Sequence, residues 1–162
     1  MTKEIQLTQG KVALVDDKDF EFLNQFKWFA SSNGDGDWYV CRRGRNNGKR
    51  ITIRMHNMIL PSHKGFLPDH KNRDGLDNQR ENLRLATPSQ NQHNKQKRVL
   101  SSSCFKGVSW CKRDKAWGAK IVLHKKCISL GNFKSEIQAA LAYDEGAKKY
   151  HGEFASPNFI EV

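Results

Sequence analysis

Turn-forming residues divide this chain of 162 residues into short segments. Tight turns need the Gly, Asn and Asp residues that occur at Gln9-Gly10, at 31–37 and at Asn46-Asn47-Gly48. The last of these turns separates two β-like runs, 38–43 and 50–55, and therefore predicts a hairpin. The N-terminal part of the chain is accordingly expected to be rich in β-structure.

One stretch of this N-terminal region has helical spacing. The apolar residues Phe20, Leu23 and Phe26 recur at intervals of three residues within 17–28. Asp17 and Asp19 suit the first turn of a helix, where carboxylates are favoured. We therefore expect a helix at 17–28, which makes the fold class α+β.

The chain is strongly basic. Its 28 Lys and Arg residues outnumber its 17 Asp and Glu residues and give a net charge of +11, most of it in residues 51–162. Such a surplus attracts polyanions and favours nucleic acid or an anionic membrane, although a merely soluble basic protein has the same composition. No apolar run approaches the ~20 residues that span a bilayer, and the N-terminus lacks the apolar core of a signal peptide. We expect a cytoplasmic protein without a membrane segment.

The four cysteines, Cys41, Cys104, Cys111 and Cys127, include no CxxC pair. In a reducing compartment they are most simply free thiols. A zinc site formed by Cys104, Cys111 and Cys127 with a histidine is an alternative, but the spacings match none of the common patterns.

Residues 66–91 hold an unusual density of metal-binding and proton-transferring side chains. Asp69-His70 ends a short extended run, and the Asp, Asn and Gly residues at 72–78 must form a loop. Thr87-Pro88 supplies an N-cap and a first helical residue, so Asn91 is expected one turn into a helix. A strand–loop–strand–helix unit of this kind would gather Asp69, His70 and Asn91 around one pocket.

Such a set suits phosphodiester hydrolysis, which needs an activated water and neutralisation of the phosphoryl charge. His70 can accept a proton, because an unperturbed histidine has a pKa of ~6.5. Asp69 and Asn91 offer hard oxygen ligands for one Mg²⁺ or Mn²⁺ ion. A calcium-binding EF-hand is disfavoured, because Arg80 stands where that loop needs a bidentate Glu.

The spacing of Asp69-His70, of Asn82-Leu83 twelve residues beyond His70 and of Asn91 nine further resembles the HNH nuclease motif in its His-Asn-Asn form. This is the ββα-metal class found in phage and mobile-intron homing endonucleases, and residues 53–60 resemble the entry to its motif. The resemblance implies that His70 is the general base and that Asp69 and Asn91 hold a single divalent metal ion. It also implies that Asn82 braces the loop and orients His70, within a β-rich nuclease domain at 1–94.

A polar, basic linker is expected at 95–104 and a separate small domain at 105–162. Three β-like runs, 107–111, 116–123 and 127–133, precede a helix that starts at Ser135 and presents Ile137, Ala140, Leu141, Tyr143 and Ala147 on one face. The residues at 105–109, 117–121, 130–133, 139–144 and 158–159 resemble an AP2-type DNA-binding domain. That resemblance implies a three-stranded sheet laid in the major groove and backed by one helix. Alternation along the middle strand then directs Trp117, Ala119 and Ile121 towards the helix.

Base-reading arginines of that family are replaced here by Lys106 and Ser109, so phosphate contacts, modest sequence preference and a strong salt dependence are expected. The Arg residues of the predicted hairpin supply a second contact surface, or are simply solvated. The candidate DNA-binding residues are Arg42, Arg43, Arg54, His56, Lys106, Ser109, Lys112, Arg113, Lys115 and Lys120.

These features predict a metal-dependent, sequence-guided, homing-type endonuclease that acts on double-stranded DNA as a monomer or homodimer. One active site per chain favours nicking of one strand. The resemblance implies a bacterial or phage-infected host cell. A DNA-binding transcription regulator that no longer cleaves, and a nuclease that acts on RNA or on nucleic acids generally, are the alternatives.

Overall fold

The computed structural model describes residues 1–32, 34, 36–95, 102–123 and 125–159. The chain divides into two compact units, residues 1–89 and 90–162. The described residues form many strands and few helices, in agreement with the predicted α+β class. Most of the predicted linker, residues 96–101, lies outside the described residues.

The first unit begins with a two-stranded hairpin of β1 (Thr2–Gln6) and β2 (Val12–Asp16). Gly10 has a φ of +70° at the turn, a left-handed conformation that glycine adopts without steric cost. Helix α1 (Asp17–Asn24) follows directly and is shorter than the predicted helix at 17–28. It ends early because Phe26 and Trp28 pack edge to face beyond it, and the Trp28 indole donates to the carbonyl of Leu23.

A three-stranded antiparallel sheet comes next, in the order β3 (Phe29–Ser32), β4 (Trp38–Asn46) and β5 (Lys49–Arg54). Asn47 and Gly48 form the turn between the last two strands, which confirms the predicted hairpin. Strand β5 leads directly into a short helix.

The predicted strand–loop–strand–helix segments are present in the structure. Helix α2 (Met55–Ile59) is followed by β6 (Leu67–His70), which pairs with β7 (Leu83–Ala86) in antiparallel register. Helix α3 (Pro88–Asn94) starts at the predicted position. The core of the first unit draws on all of its sheets and helices and includes Ile5, Val15, Leu23, Trp28, Val40, Met55, Ile59 and Leu83.

The second unit contains a sheet in the order β10 (Lys126–Phe133), β9 (Ala116–Leu123) and β8 (Val108–Cys111), followed by helix α4 (Glu136–His151). Along β9, Ala119 and Ile121 are buried, whereas Lys120 and Val122 are exposed. This alternation agrees with the prediction that one face of the sheet supports the helix.

The buried face of α4 agrees with the predicted one in part, since Ala140, Tyr143 and Ala147 are buried as expected. Ile137 and Leu141 are 57% and 50% exposed, whereas Ala139 and Gly146 are buried. Small residues let the helix lie close to the sheet, since a Cβ atom on Gly146 would stand 2.7 Å from a methyl group of Leu130. The face of α4 that packs on the sheet is therefore the one whose small residues allow the two backbones to approach closely, and not the one with the largest apolar side chains.

The end of the described chain is fastened to α4. The buried Asp144 carboxylate accepts hydrogen bonds from the backbone amides of Asn158 and Phe159 and from the Asn158 side chain. Asn158 also exchanges two hydrogen bonds with the backbone of Lys106. Within the described part of the chain, no helix has the length and apolar character needed to cross a membrane.

Candidate active site

His70 ends strand β6 and is 5% exposed. Its Nε2 lies 3.3 Å from Oδ1 of Asn78, and its ring meets the ring of His56 edge to face at 4.9 Å. Burial lowers the pKa of His70, although the hydrogen bond to Asn78 and the charge of Asp69 act in the opposite direction. The imidazole is therefore neutral at pH 7 and able to accept a proton.

Asp69 lies opposite Arg84 in the register of β6 and β7. The carboxylate and the guanidinium are 3.0 Å apart, with side chains only 10% and 9% exposed. A buried carboxylate needs such a partner, because an uncompensated charge is strongly disfavoured away from water. Arg84 thus pairs with a carboxylate oxygen of Asp69, the residue immediately before His70.

Asn82 braces the loop between the two strands. Its Oδ1 accepts from the backbone amide of Asn72, and its Nδ2 donates to the carbonyl of Asp77 at 2.8 Å. The backbone amide of Lys71 also donates to the carbonyl of Asn82. These bonds hold the residues that follow His70 in one closed loop.

The amide that contacts the His70 ring belongs to Asn78, a residue that sequence reasoning missed. Asn78 is fully buried, and its backbone amide donates to the carbonyl of Leu14 in β2. Its Nδ2 donates to the carbonyls of Gly75 and Leu76. The only feature of the sequence that could have pointed to Asn78 was its position at the end of an Asp- and Asn-rich loop. Nothing in the sequence indicated that β2 packs beside that loop.

His56 lies on α2 and is 4% exposed, although the sequence suggested it as a DNA contact. Its ring also faces Tyr39, at 6.0 Å. Among the described residues its Nδ1 has no hydrogen-bond partner. Burial is the main cause that lowers the pKa of His56 to about 3, and repulsion by Arg54 and by His70, when that ring is protonated, acts in the same direction. A second neutral imidazole therefore packs against His70.

Comparison with known proteins shows the family to which these site residues belong. An HNH endonuclease family model matches residues 51–93, which include Asp69, His70, Asn82 and Asn91. An uncharacterised HNH endonuclease of Acanthamoeba polyphaga mimivirus is 31% identical over 153 residues, which cover 94% of this chain and 78% of the relative. The chain belongs to the HNH endonuclease family.

Protein 3.8 of Escherichia phage T7 is also similar, with 30% identity over 97 residues that cover 59% of this chain and 78% of the phage protein. No solved structure matches the chain significantly. Membership of the family makes this protein a nuclease, for which the substrate is DNA.

Asn91 of this HNH endonuclease lies on α3, within the second compact unit, and is half-buried. Lys106 donates from Nζ to the carbonyls of His93 and Lys95, at 2.5 and 2.6 Å. The ring of His93 also stacks on that of His151 at 3.7 Å. The C-terminal end of α3 is therefore held by residues of its own unit.

The other candidate DNA-binding residues of the HNH endonuclease lie largely at the surface. Arg42, Arg43 and Lys27 line an open groove of about 590 Å³, in which the Arg42 guanidinium stacks 4.1 Å from the ring of Phe26. Arg54 lies over the ring of Tyr39. The exposed candidates of the second unit are Ser109, Lys112, Arg113, Lys115 and Lys120.

No group of three or more His, Cys, Asp or Glu side chains suited to a metal ion occurs in the part of the chain that the structure describes. The alternative zinc site therefore has no structural counterpart there. Cys104 and Cys127 are exposed, and the Cys111 thiol donates to the carboxylate of Asp114.

Proposed function

We propose that this HNH endonuclease hydrolyses double-stranded DNA in a reaction that depends on a divalent metal ion, with His70 as the general base. The neutral, buried imidazole of His70, held by Asn78 and next to the charged Asp69, is the observation that carries the proposal. A neutral imidazole positioned in this way accepts a proton at neutral pH. The loop braced by Asn82 keeps the His70 ring in place.

Asp69 and Asn91 are the proposed metal ligands, by their positions in the motif. Their carboxylate and amide oxygens are hard donors and fit one Mg²⁺ or Mn²⁺ ion. In the structure the Asp69 carboxylate is paired with the Arg84 guanidinium at 3.0 Å, so a metal ion would share this carboxylate with Arg84. When bound, such an ion neutralises phosphoryl charge and assists the departing 3′ oxygen.

The proposed reaction is a hydrolysis that His70 starts. His70 removes a proton from a water molecule as the water oxygen bonds to phosphorus. The bond between phosphorus and the 3′ oxygen breaks, and that oxygen takes up a proton from solvent. One such site per chain supports nicking of a single strand. A homodimer, or two successive events, would be required to cut both.

The second unit is proposed to anchor the enzyme on duplex DNA as an AP2-type module. Its helix covers one face of the sheet, while Lys120 and Val122 are exposed on the other. Contacts from Lys and Arg to phosphate release counterions, so affinity should fall steeply as salt rises. The proposed contacts are Arg42, Arg43, Arg54, Lys106, Ser109, Lys112, Arg113, Lys115 and Lys120. A homing-type role in a bacterial or phage-infected cell belongs to the same proposal.

Cleavage of supercoiled plasmid that carries DNA from the gene's own neighbourhood tests this function. The wild type is expected to produce open circles with Mg²⁺ or Mn²⁺ and none with EDTA. His70→Ala should slow cleavage by about 10²- to 10⁴-fold, the usual contribution of a general base. His63→Ala is the matched control, since His63 is an exposed histidine of the same unit.

Melting curves for each variant separate loss of the base from loss of the fold. Binding of duplex DNA without metal-dependent cutting would instead support the regulator that the sequence left open. Equal rates for wild type and a folded His70→Ala variant would remove His70 from the mechanism.

A further inference from the structure

The buried side chain of Asn78 lies next to the proposed general base, and its hydrogen bonds permit only one orientation of its amide group. We propose that Asn78 is a positioning residue that holds His70 in the tautomer protonated on Nε2, so that Nδ1 is the atom that accepts the proton from water. This inference rests on the proposed role of His70. It adds which nitrogen reacts and which part of the fold determines that choice.

The orientation of the Asn78 amide follows from its three neighbours. Its Nδ2 lies 3.3 Å from the carbonyl oxygen of Gly75 and 3.1 Å from that of Leu76. Carbonyl oxygens only accept hydrogen bonds, and a flipped amide would set its own oxygen against both of them. Oδ1 of Asn78 must therefore face the His70 ring.

The tautomer of His70 follows in turn. An amide oxygen cannot donate, so the 3.3 Å contact between Asn78 Oδ1 and His70 Nε2 is a hydrogen bond only if Nε2 carries the proton. A neutral imidazole has one N–H, and the lone pair then belongs to Nδ1. The distance is at the long end for a hydrogen bond, as catalytic contacts often are before substrate binds.

The first hairpin of the chain keeps Asn78 in place. Its backbone amide donates to the carbonyl of Leu14 at 2.8 Å, and the amide of Leu14 donates to the carbonyl of Leu76 at 2.9 Å. Leu14 of strand β2 is therefore hydrogen-bonded to the loop on both sides of Asp77 and forms a parallel β-bridge with Asp77. Because Asn78 is fully buried, its side chain has little freedom to turn away from His70.

Two asparagines of one loop therefore have separate roles. Asn82 closes the loop by bonding to the backbone of Asn72 and Asp77, whereas Asn78 contacts the imidazole. The family match covers residues 51–93, so strand β2 lies outside it. The N-terminal hairpin is accordingly part of what orients the reacting histidine.

NMR of protein with ¹⁵N-labelled histidine tests the inference directly. At pH 7.5, the ring signals of His70, assigned by their loss in His70→Ala, should show the Nε2–H tautomer. Asn78→Leu, which removes the acceptor at similar volume, should lose this preference. It should also cut single-turnover cleavage about 10²-fold, within the range observed when the partner that orients a histidine is removed. DNA binding should not change.

Two further variants separate this role from simple loop stability. Asn78→Asp keeps an oxygen acceptor for Nε2 but loses the hydrogen bonds to the carbonyls of Gly75 and Leu76; a folded variant should keep the proton on Nε2. Asn72→Ala removes the side-chain hydrogen bonds of Asn72 to Asp77 and to the backbone amide of Asp74. It should leave the tautomer as in wild type, whatever it does to the melting temperature.

The inference is overturned if wild-type His70 is the Nδ1–H tautomer, or if a folded Asn78→Leu variant keeps both tautomer and rate. If Asn78→Leu does not fold, the wild-type spectrum still tests the tautomer, and a folded Asn78→Asp variant tests the role of the side chain. Cleavage that survives His70→Ala would overturn the proposed function instead. These failures are therefore distinguishable.

Discussion

Acid should destabilise the N-terminal unit because His56 is buried as a neutral ring. Burial, with smaller contributions from Arg54 and from His70 when that ring is protonated, lowers its pKa to about 3 from an ordinary value of 6.5. At 4% exposure, the ring has almost no water with which to stabilise a charge, and among the described residues its Nδ1 has no hydrogen-bond partner.

The sign and size of the effect follow from proton linkage. The folded-state pKa lies below the unfolded one, so above pH 6.5 both states are neutral and no penalty exists. As the pH falls below about 6.5, the unfolded chain takes up the proton first, and the free energy of unfolding decreases by about 1.4 kcal/mol per pH unit. Between pH 7.5 and pH 5.0 the expected loss due to His56 is therefore about 2 kcal/mol.

Urea unfolding at pH 7.5 and pH 5.0 measures this loss. The wild type is compared with His56→Asn, which removes the titrating group, and with His63→Asn, which removes an exposed histidine of the same unit. Wild type and His63→Asn should both lose about 2 kcal/mol more than His56→Asn between the two pH values. An equal loss in wild type and His56→Asn would refute the reasoning, because the acid sensitivity would then arise elsewhere.

Two other substitutions test the packing and the charge pair. Gly107→Ala should destabilise the second unit by about 1–3 kcal/mol more than Gly152→Ala in urea unfolding, since both have positive φ but only a Cβ on Gly107 would collide with the Tyr143 ring. Equal effects of the two substitutions would contradict the close approach. Arg84→Met should lower the free energy of unfolding by about 3–5 kcal/mol because it removes the guanidinium that lies 3.0 Å from the buried Asp69 carboxylate. Adding Asp69→Asn to Arg84→Met should recover part of that loss, and a further decrease would count against the ion pair.

Local chemistry by itself determined several elements of this protein. Asn47 and Gly48 adopt φ values of 48° and 77°, a conformation that few other residues tolerate, so the turn between β4 and β5 could be predicted from residue type. Pro88 begins α3 because its fixed φ suits a first helical residue. The alternation of β9 was predictable for the same reason, since successive side chains of any strand point to opposite faces.

The ends and faces of the helices needed information from distant residues. Phe26 and Trp28 have helical spacing with Phe20 and Leu23, yet α1 ends at Asn24. The two aromatic rings are instead packed against each other, with the Arg42 guanidinium of β4 over both of them. Helical periodicity is a property of neighbouring residues, and a contact with another strand can override it.

The motif positions of Asp69, His70 and Asn82 could be taken from the sequence, because their spacing is local and specific. The surroundings of His70 could not. Asn78 is held by Leu14, which is 64 residues earlier in the chain, and His56 approaches His70 from a separate helix. Only the tertiary structure decided these contacts, because hydrogen bonding and the loss of water around a ring depend on how segments far apart in sequence come together.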